Sequence, residues 1–442
     1  MNQTDTAVRP ILDMNAFDAT QASSNHQVSR RLNNLGAASV LFYRQPIEMV
    51  TAQGCWMTAA DGSRYLDFYN NVPSVGHCHP KVIEAVTEQM SRLNTNTRYL
   101  VAVVDDYLDA LKAKLPDALA NVVMTCSGSE ANDLAMRIAR KVSGGTGFIV
   151  TEAAYHGNTA LVTEVSPSAF RHASLPDHVV AIPAPSALVY GNDIATGFAN
   201  AVRAAVKTLA QRGHRPAALL VDSIFSSDGV FAQPAGFLQA AVDAIHQAGG
   251  LYIADEVQPG FGRLGDAFWG FDYHGVQPDL VTMGKPMGNG FPMAAMASRP
   301  EYLAAFCEDT GYFNTFGGNP VAAAAGLAVL KVLEQQGLQH NARDTGYWLQ
   351  QQLNQLAAEH HRITDVRGSG LFIGVDLGAE DDPTRPDPVY TVQIINRMRD
   401  AGVLIGAAGK HAATLKVRPP LCLTRNEAQQ FVDALSASLT TD

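Results

Sequence analysis

The stretch DLVTMGKPMGNG, Asp279–Gly290, reads as an apolar strand that ends on a single lysine, Lys285, and then breaks into Gly, Pro, Met, Gly, Asn, Gly. Lysine is rarely buried without a task, and the glycines and proline after it prevent a regular helix from starting there. What explains that amine is whatever else the chain directs at it.

Working outward from Lys285, residues 120–300 alternate short apolar runs with amphipathic helical patterns. The strand candidates are NVVMTC, GFIVTE, HVVAIPA, AALLVDSIF, GLYIADEV and LVTMGK. Between them lie helical stretches such as EANDLAMRIARKV, GFANAVRAAVKTLAQR and GFLQAAVDAIHQA. Strands buried on both faces with helices between them predict a mostly parallel sheet in an α/β domain. Ligands of such sheets bind at the carboxyl ends of the strands. Ser127, Asp255 and Lys285 all fall at or near such ends.

Upstream, residues 1 to about 45 read as an extended arm with a short helix. IEMVTAQGCWMTAADGSRYLDFYNN alternates around a turn at Asp61–Gly62, which predicts a small antiparallel sheet, and HPKVIEAVTEQMSRL predicts a helix with Pro80 at its start. Downstream, NPVAAAAGLAVLKVLEQQGL is a long helix. TDVRGSGLFIGVDL, GVLIGAAG and LKVRPPLCL are strand-like, with helices near 389–401 and 425–438. The expected organisation is an arm plus part of a small domain over 1–75, a large domain over 76–335, and a smaller α+β domain over 336–442.

The 442 residues carry 32 basic and 42 acidic side chains, a net charge of −10, with no basic run. Nucleic acid and an anionic membrane are therefore poor partners, although a local pocket can still take an anionic substrate. No apolar run approaches the length of a membrane span. The N-terminus lacks the charged and apolar regions of a secretory signal. Five cysteines (Cys55, Cys78, Cys126, Cys307 and Cys422) are scattered, without CxxC pairs. That argues against a disulfide framework or a metal site and for a reducing cytoplasm.

Four features at successive strand ends carry chemistry. Ser127-Gly128-Ser129 precede a helix, where free amides and the helix dipole favour a phosphate. Read alone, the serine is an ordinary helix cap. Tyr155, in EAAYHGNT, can stack on a flat ring or fill core. Asp255 and Glu256 end a strongly apolar strand, and a carboxylate there can hold a heterocyclic nitrogen protonated. Lys285, in apolar surroundings, has a lowered pKa and can act as a neutral nucleophilic amine. A phosphate cup, an aromatic face, a carboxylate and an amine together describe a site for pyridoxal 5'-phosphate, whose pyridine ring is an electron sink.

From DGSRYLDFYNNVPSVGHCHP to LKVRPPLCLT the chain resembles the class III (omega) aminotransferases of the pyridoxal-phosphate fold-type I superfamily, LYIADEVQPGFGRLG and PDLVTMGKPMGNGFPMAA being the most specific pieces. The resemblance implies that Lys285 forms the Schiff base and carries protons, and that Asp255 pairs with the pyridine nitrogen. Val257 then packs on the ring, and Gln258 lies near its phenolic oxygen. Gly128 and Ser129 hold the phosphate, with Ser127 beside them, and Tyr155 stacks on the ring and borders the substrate. It further implies a homodimer with shared active sites, in which Thr315, in YFNTFGGNP, reaches the neighbouring subunit's phosphate. Asp222-Ser223 stand where the family usually has Glu-Pro, so the role of Asp222 beside the cofactor carries over only weakly. Arg418 matches an arginine that binds substrate carboxylates, which suits its planar fork; a salt bridge is the plain alternative.

NNVPSVGHCHP, LNTNTRYL and YFNTFGGNP narrow the resemblance to a subgroup with phosphoethanolamine and phosphohydroxylysine phospho-lyases and related aminotransferases. His77 and His79 read as turn and helix-start residues. Two reactions follow. The first is transamination from an amine or omega-amino donor to a keto acid such as pyruvate, which Arg418 favours slightly. The second is elimination of phosphate and ammonia from a phosphorylated amino alcohol, which needs a second phosphate pocket. Lys410, His411, Lys416 and Arg418 are the candidates for that pocket.

Overall fold

The computed structural model describes residues 13–15, 17–18, 25–171 and 174–440. The arm predicted at the N-terminus lies outside the described residues over 1–12, and its short helix is His26–Leu35, capped by the Asn25 side chain. Three strands follow as an antiparallel meander, β1 (Met49–Gln53), β2 (Trp56–Ala59) and β3 (Arg64–Asp67). Its turn forms where Asp61–Gly62 predicted it, with the Asp61 carboxylate accepting the Ser63 amide at 2.9 Å and Gly62 at φ 88°.

The large sheet has seven strands: β4 (Asn121–Thr125), β5 (Gly147–Thr151), β6 (Val179–Ile182), β7 (Pro216–Asp222), β8 (Leu251–Asp255), β9 (Leu280–Met283) and β10 (Ala294–Ser298). Their spatial order is β4-β10-β9-β8-β7-β5-β6. All run parallel except β10, which is antiparallel to both β4 and β9. Alternate residues supply two separate cores. Leu219, Val221, Tyr252, Ala254, Val281 and Met283 face one, while Ala218, Leu220, Leu251, Ile253 and Leu280 face the other. A sheet covered on both faces cannot show the polar alternation of a half-exposed strand, which is why its strands read as unbroken apolar runs. β10 was not foreseen: AAMAS contains no β-branched residue, and only its burial between two strands makes it one.

The last strands are β11 (Ile363–Ser369), β12 (Phe372–Leu377), β13 (Val403–Leu404), β14 (Gly406–Ala408) and β15 (Thr414–Val417). GVLIGAAG, expected as one strand, is divided between two sheets. β13 pairs parallel with β3, joining the N-terminal meander, and β14 pairs with β15 in an antiparallel sheet ordered β11-β12-β15-β14. The division joins the N-terminal meander to the C-terminal segment and sets β15, with Lys416 in it and Arg418 just past it, beside the carboxyl edge of the large sheet.

Candidate active site

Asp255 is the last residue of β8 and is 4% exposed. Its Oδ2 accepts hydrogen bonds from His156 Nδ1 at 2.7 Å and Asn132 Nδ2 at 3.0 Å, and its Oδ1 accepts from the Val257 amide at 3.1 Å. Three donors thus converge on this buried carboxylate. The Asn132 amide is itself oriented, because its Oδ1 accepts from the Thr282 hydroxyl at 2.6 Å. Sequence reasoning missed both His156 and Asn132. A signal existed for each: His156 adjoins Tyr155 at a strand end, and Asn132 lies on the apolar stripe of its helix, between buried Ala131 and Leu134. A polar residue there requires a partner.

Lys285 opens the short 3-10 turn Lys285–Gly288 just past β9. Burial holds its ammonium below the ordinary lysine range. Asp255 opposes that shift, the Arg418 charge adds to it, and Asp222 opposes it again. The glycine and proline around it therefore hold an amine that gives up its proton readily, at the edge where Asp255 also ends.

The helix Gly128–Ser143 begins at the carboxyl end of β4. Ser127 closes a capping box with Glu130, and Glu130 Oε2 also accepts the Cys126 amide at 2.8 Å. The Ser127 hydroxyl is thus engaged in the cap, as its plain reading had it. The first amides of the helix have no carbonyl behind them, and Ser129 Oγ accepts the Asn158 amide at 3.1 Å with its own proton to give. Gly128 is required by close packing: a Cβ there would lie 2.9 Å from Val257 Cγ2. Val257 and the phosphate cup therefore touch. Tyr155 is half-buried, and burial raises its phenol pKa; through His156 its segment is tied to Asp255.

Asp222 ends β7 and turns back on its own loop, accepting the Ile224 amide at 3.0 Å and the Ser226 amide at 3.1 Å. Burial pushes its carboxyl pKa upward. Ser223 donates to Glu256 Oε1 at 2.6 Å, and Glu256 accepts the Gly270 and Phe271 amides as well. Asp222-Ser223 is therefore a local structural unit, in which Ser223 serves the buried Glu256.

Arg418 extends from the end of β15 across the Tyr69 ring, 4.6 Å from its centroid. It donates to Gln258 Oε1 at 2.8 Å, and Asn71 Nδ2 reaches the same oxygen at 3.3 Å. Gln258 and Arg418 are thus brought together, with Asn71 as an unforeseen third member. Lys416, two residues back within β15, is 2% exposed, and its Nζ lies 5.5 Å from the Phe372 ring centroid. Burial holds its pKa well down; Arg418 and Lys285 push the same way, and Asp222 and Asp228 oppose them. Lys410 is taken by Glu152 at 2.9 Å, and His411 is half-buried in the turn before β15. Thr315 is exposed, on a loop anchored to the start of the phosphate-cup helix by the Asn314 bond to Glu130 Oε1 at 3.2 Å. His77 bonds Asp67 at 2.7 Å and His79 bonds Gln336 at 3.1 Å, both as framework residues.

The amine, the buried carboxylate with its three donors, and the cup that a Cβ on Gly128 would crowd fit pyridoxal phosphate. The aminotransferase class-III family model matches residues 42–439. A Drosophila melanogaster protein named alanine–glyoxylate aminotransferase 2-like is 38% identical over 97% of this chain and 89% of its own length. A Caenorhabditis elegans protein named ethanolamine-phosphate phospho-lyase homolog 1 is 36% identical over 95% and 94%. A solved phospholyase from Arthrobacter, in complex with phosphoethanolamine, is 41% identical, with a TM-score of 0.90 over 94% of this chain and 100% of its own. Agreement of the family model, these relatives and the strand-end geometry makes this chain a member of the class III aminotransferases, with pyridoxal phosphate as its cofactor.

Proposed function

We propose that this chain eliminates phosphate and ammonia from a phosphorylated amino alcohol of the phosphoethanolamine type. The observation that carries this reading is the pair Lys416 and Arg418. One guanidinium suffices for the single charge of a keto acid. Two cations two residues apart at the end of β15, both acting electrostatically with Lys285, suit a dianion. A buried lysine whose pKa is depressed regains its proton when an anion arrives beside it, so the charge of the ligand supplies what the empty pocket opposes. The Arthrobacter phospholyase, similar over nearly the whole chain, supports the same reading.

Pyridoxal phosphate, when bound, supplies the electron sink. Asp255, held by His156 and Asn132, would face the ring nitrogen, and Gly128 with Ser129 would receive the cofactor phosphate. Lys285 takes the proton from the carbon that bears the substrate nitrogen. Lys416 and Arg418 grip the substrate phosphate, which leaves with the electron pair of the broken C–O bond.

Transamination is the second reading, and the planar fork of Arg418 favours it. The two are separated by adding phosphoethanolamine to the holoenzyme without any keto acid and assaying inorganic phosphate. Catalytic release is expected, and Lys416→Met should raise KM roughly 10- to 100-fold, the worth of one hydrogen bond to a charged group. Bleaching of the cofactor band that pyruvate reverses, with no phosphate released, would instead make the enzyme a transaminase.

Two shared sites in a homodimer form part of the proposal. Leu100 is 98% exposed, Phe316 71% and Tyr99 66%. They flank the loop that carries Thr315, and apolar side chains so exposed mark an association surface.

A further inference from the structure

Cys55 and Cys422 lie 367 residues apart in sequence, yet their sulfurs are 3.6 Å apart. Cys55 sits in the β1–β2 turn and is 2% exposed; Cys422 is half-buried, four residues beyond Arg418. Gly76 faces the pair without a side chain, since a Cβ there would stand 2.8 Å from Cys422 Sγ. The segment carrying Cys422 is laid against residues 68–74 by two backbone bonds, Arg418 N to Phe68 O at 3.0 Å and Leu421 N to Ser74 O at 2.7 Å. The thiols are thus held face to face by main-chain contacts on both sides, in a chain whose other three cysteines have no such neighbour among the described residues.

We propose that Cys55 and Cys422 form a reversible oxidation site for peroxides, which on reaction staples the Arg418 segment to the β1–β2 turn. Cys422 is the more accessible member; the hydrogen bond the two thiols share holds the Cys422 thiol below the ordinary cysteine range and, with burial, pushes the Cys55 thiol up. The Cys422 thiolate attacks hydrogen peroxide, giving a sulfenic acid and releasing hydroxide. The Cys55 sulfur then attacks that sulfur as its own proton leaves. A sulfur–sulfur bond forms, the S–O bond breaks and water departs. Peroxide is reduced and both thiols are oxidised. The sulfurs close from 3.6 Å to about 2.0 Å, which draws Pro419–Cys422 toward the turn beneath Arg418. This site is independent of which reaction the enzyme catalyses.

The test is to expose the holoenzyme to a small excess of hydrogen peroxide, block the remaining thiols with an alkylating reagent, and digest it without reductant. The expected result is a linked peptide joining Cys55 to Cys422. Two of the five thiols should be lost, and both should return on addition of dithiothreitol. The exposed Cys78 and Cys307 are replaced by serine in a parallel sample to exclude links between molecules, and Cys55→Ser should abolish the linked peptide and leave Cys422 as a trapped sulfenic acid. Oxidation of Cys422 straight to sulfinic acid in the unaltered enzyme, or five thiols still alkylated after treatment, would overturn the proposal.

Discussion

His156 is one residue from the predicted Tyr155, yet it does more for the site's electrostatics than its position in sequence suggested. Among the described residues its Nδ1 proton is one of two side-chain donors on Asp255, and its other nitrogen is buried without a hydrogen-bond partner. The imidazole is therefore committed to the carboxylate. His156→Ala leaves Asp255 with Asn132 and the Val257 amide. A bond to a charged group is worth about 1.5–3 kcal/mol, so turnover should fall roughly 10- to 100-fold. Lys285→Ala should cost roughly 10²–10⁴-fold, the usual worth of a positioned proton carrier, and should abolish the absorbance of cofactor bound to the amine. Steady-state assays of both variants beside a cofactor spectrum check the ranking. An H156A enzyme with native turnover would remove the imidazole from the site's working parts. Asp255 and Lys285 stood out in the sequence because a charged residue ending an apolar run calls for a partner, although Asp222 ends β7 in the same way and serves its own turn. His156 and Asn132 did not stand out, because a polar residue beside a turn or within a helix looks ordinary until its partner is known.

At the scale of elements, the carboxyl edge is stiffened by loops that follow the strands. His274, just after the helix Gly270–Tyr273, joins two of them. Its Nε2 donates to Ser223 O at 2.9 Å, and its Nδ1 accepts the Gly236 amide at 3.3 Å. A ring that accepts a backbone proton cannot take another there, and burial lowers its pKa from 6.5 to about 4. The unfolded chain binds a proton on this group below pH 6.5 and the native chain does not until about pH 4. Since the unfolded state holds more protons across that window, stability falls as pH drops through it, by up to roughly 3 kcal/mol. Urea unfolding between pH 7 and pH 4.5 should therefore show a falling midpoint, and His274→Asn should be less stable at pH 7 but show a smaller fall. An equal fall in both proteins would assign the acid sensitivity elsewhere. The elements themselves were largely readable: β7, β8 and β9 are apolar runs closed by Asp222, Asp255 and the Gly284-Lys285 break. β10 and the division between β13 and β14 were not, because in AAMAS and GVLIGAAG the pairing partner, a tertiary choice, decides what local preference leaves open.

At the scale of the whole molecule, one chain brings Lys285, Asp255, Arg418 and the phosphate cup together while its Thr315 stays exposed beside Phe316. The residues that would face the amine thus come from one chain, and in the proposed homodimer Thr315 would meet the neighbour's site. A two-fold dimer that exchanges Thr315 makes a prediction no monomer can satisfy. Lys285→Ala and Thr315→Ala chains are each impaired alone, the first without its amine and the second without a hydroxyl for the facing phosphate. When the two are dissociated and reassembled together, half the dimers are mixed. In each mixed dimer one site takes Lys285 from one chain and Thr315 from the other, and so is intact. Activity should recover to about one quarter of the native level, the statistical share of restored sites. Sedimentation of the separate variants shows whether each still dimerises, and a Leu100→Asp chain, with a charge in the apolar patch, should sediment as a monomer. Recovery no greater than the mean of the two parents, with dimers intact, would mean that each site is built from one chain and that the exposed loop serves association alone.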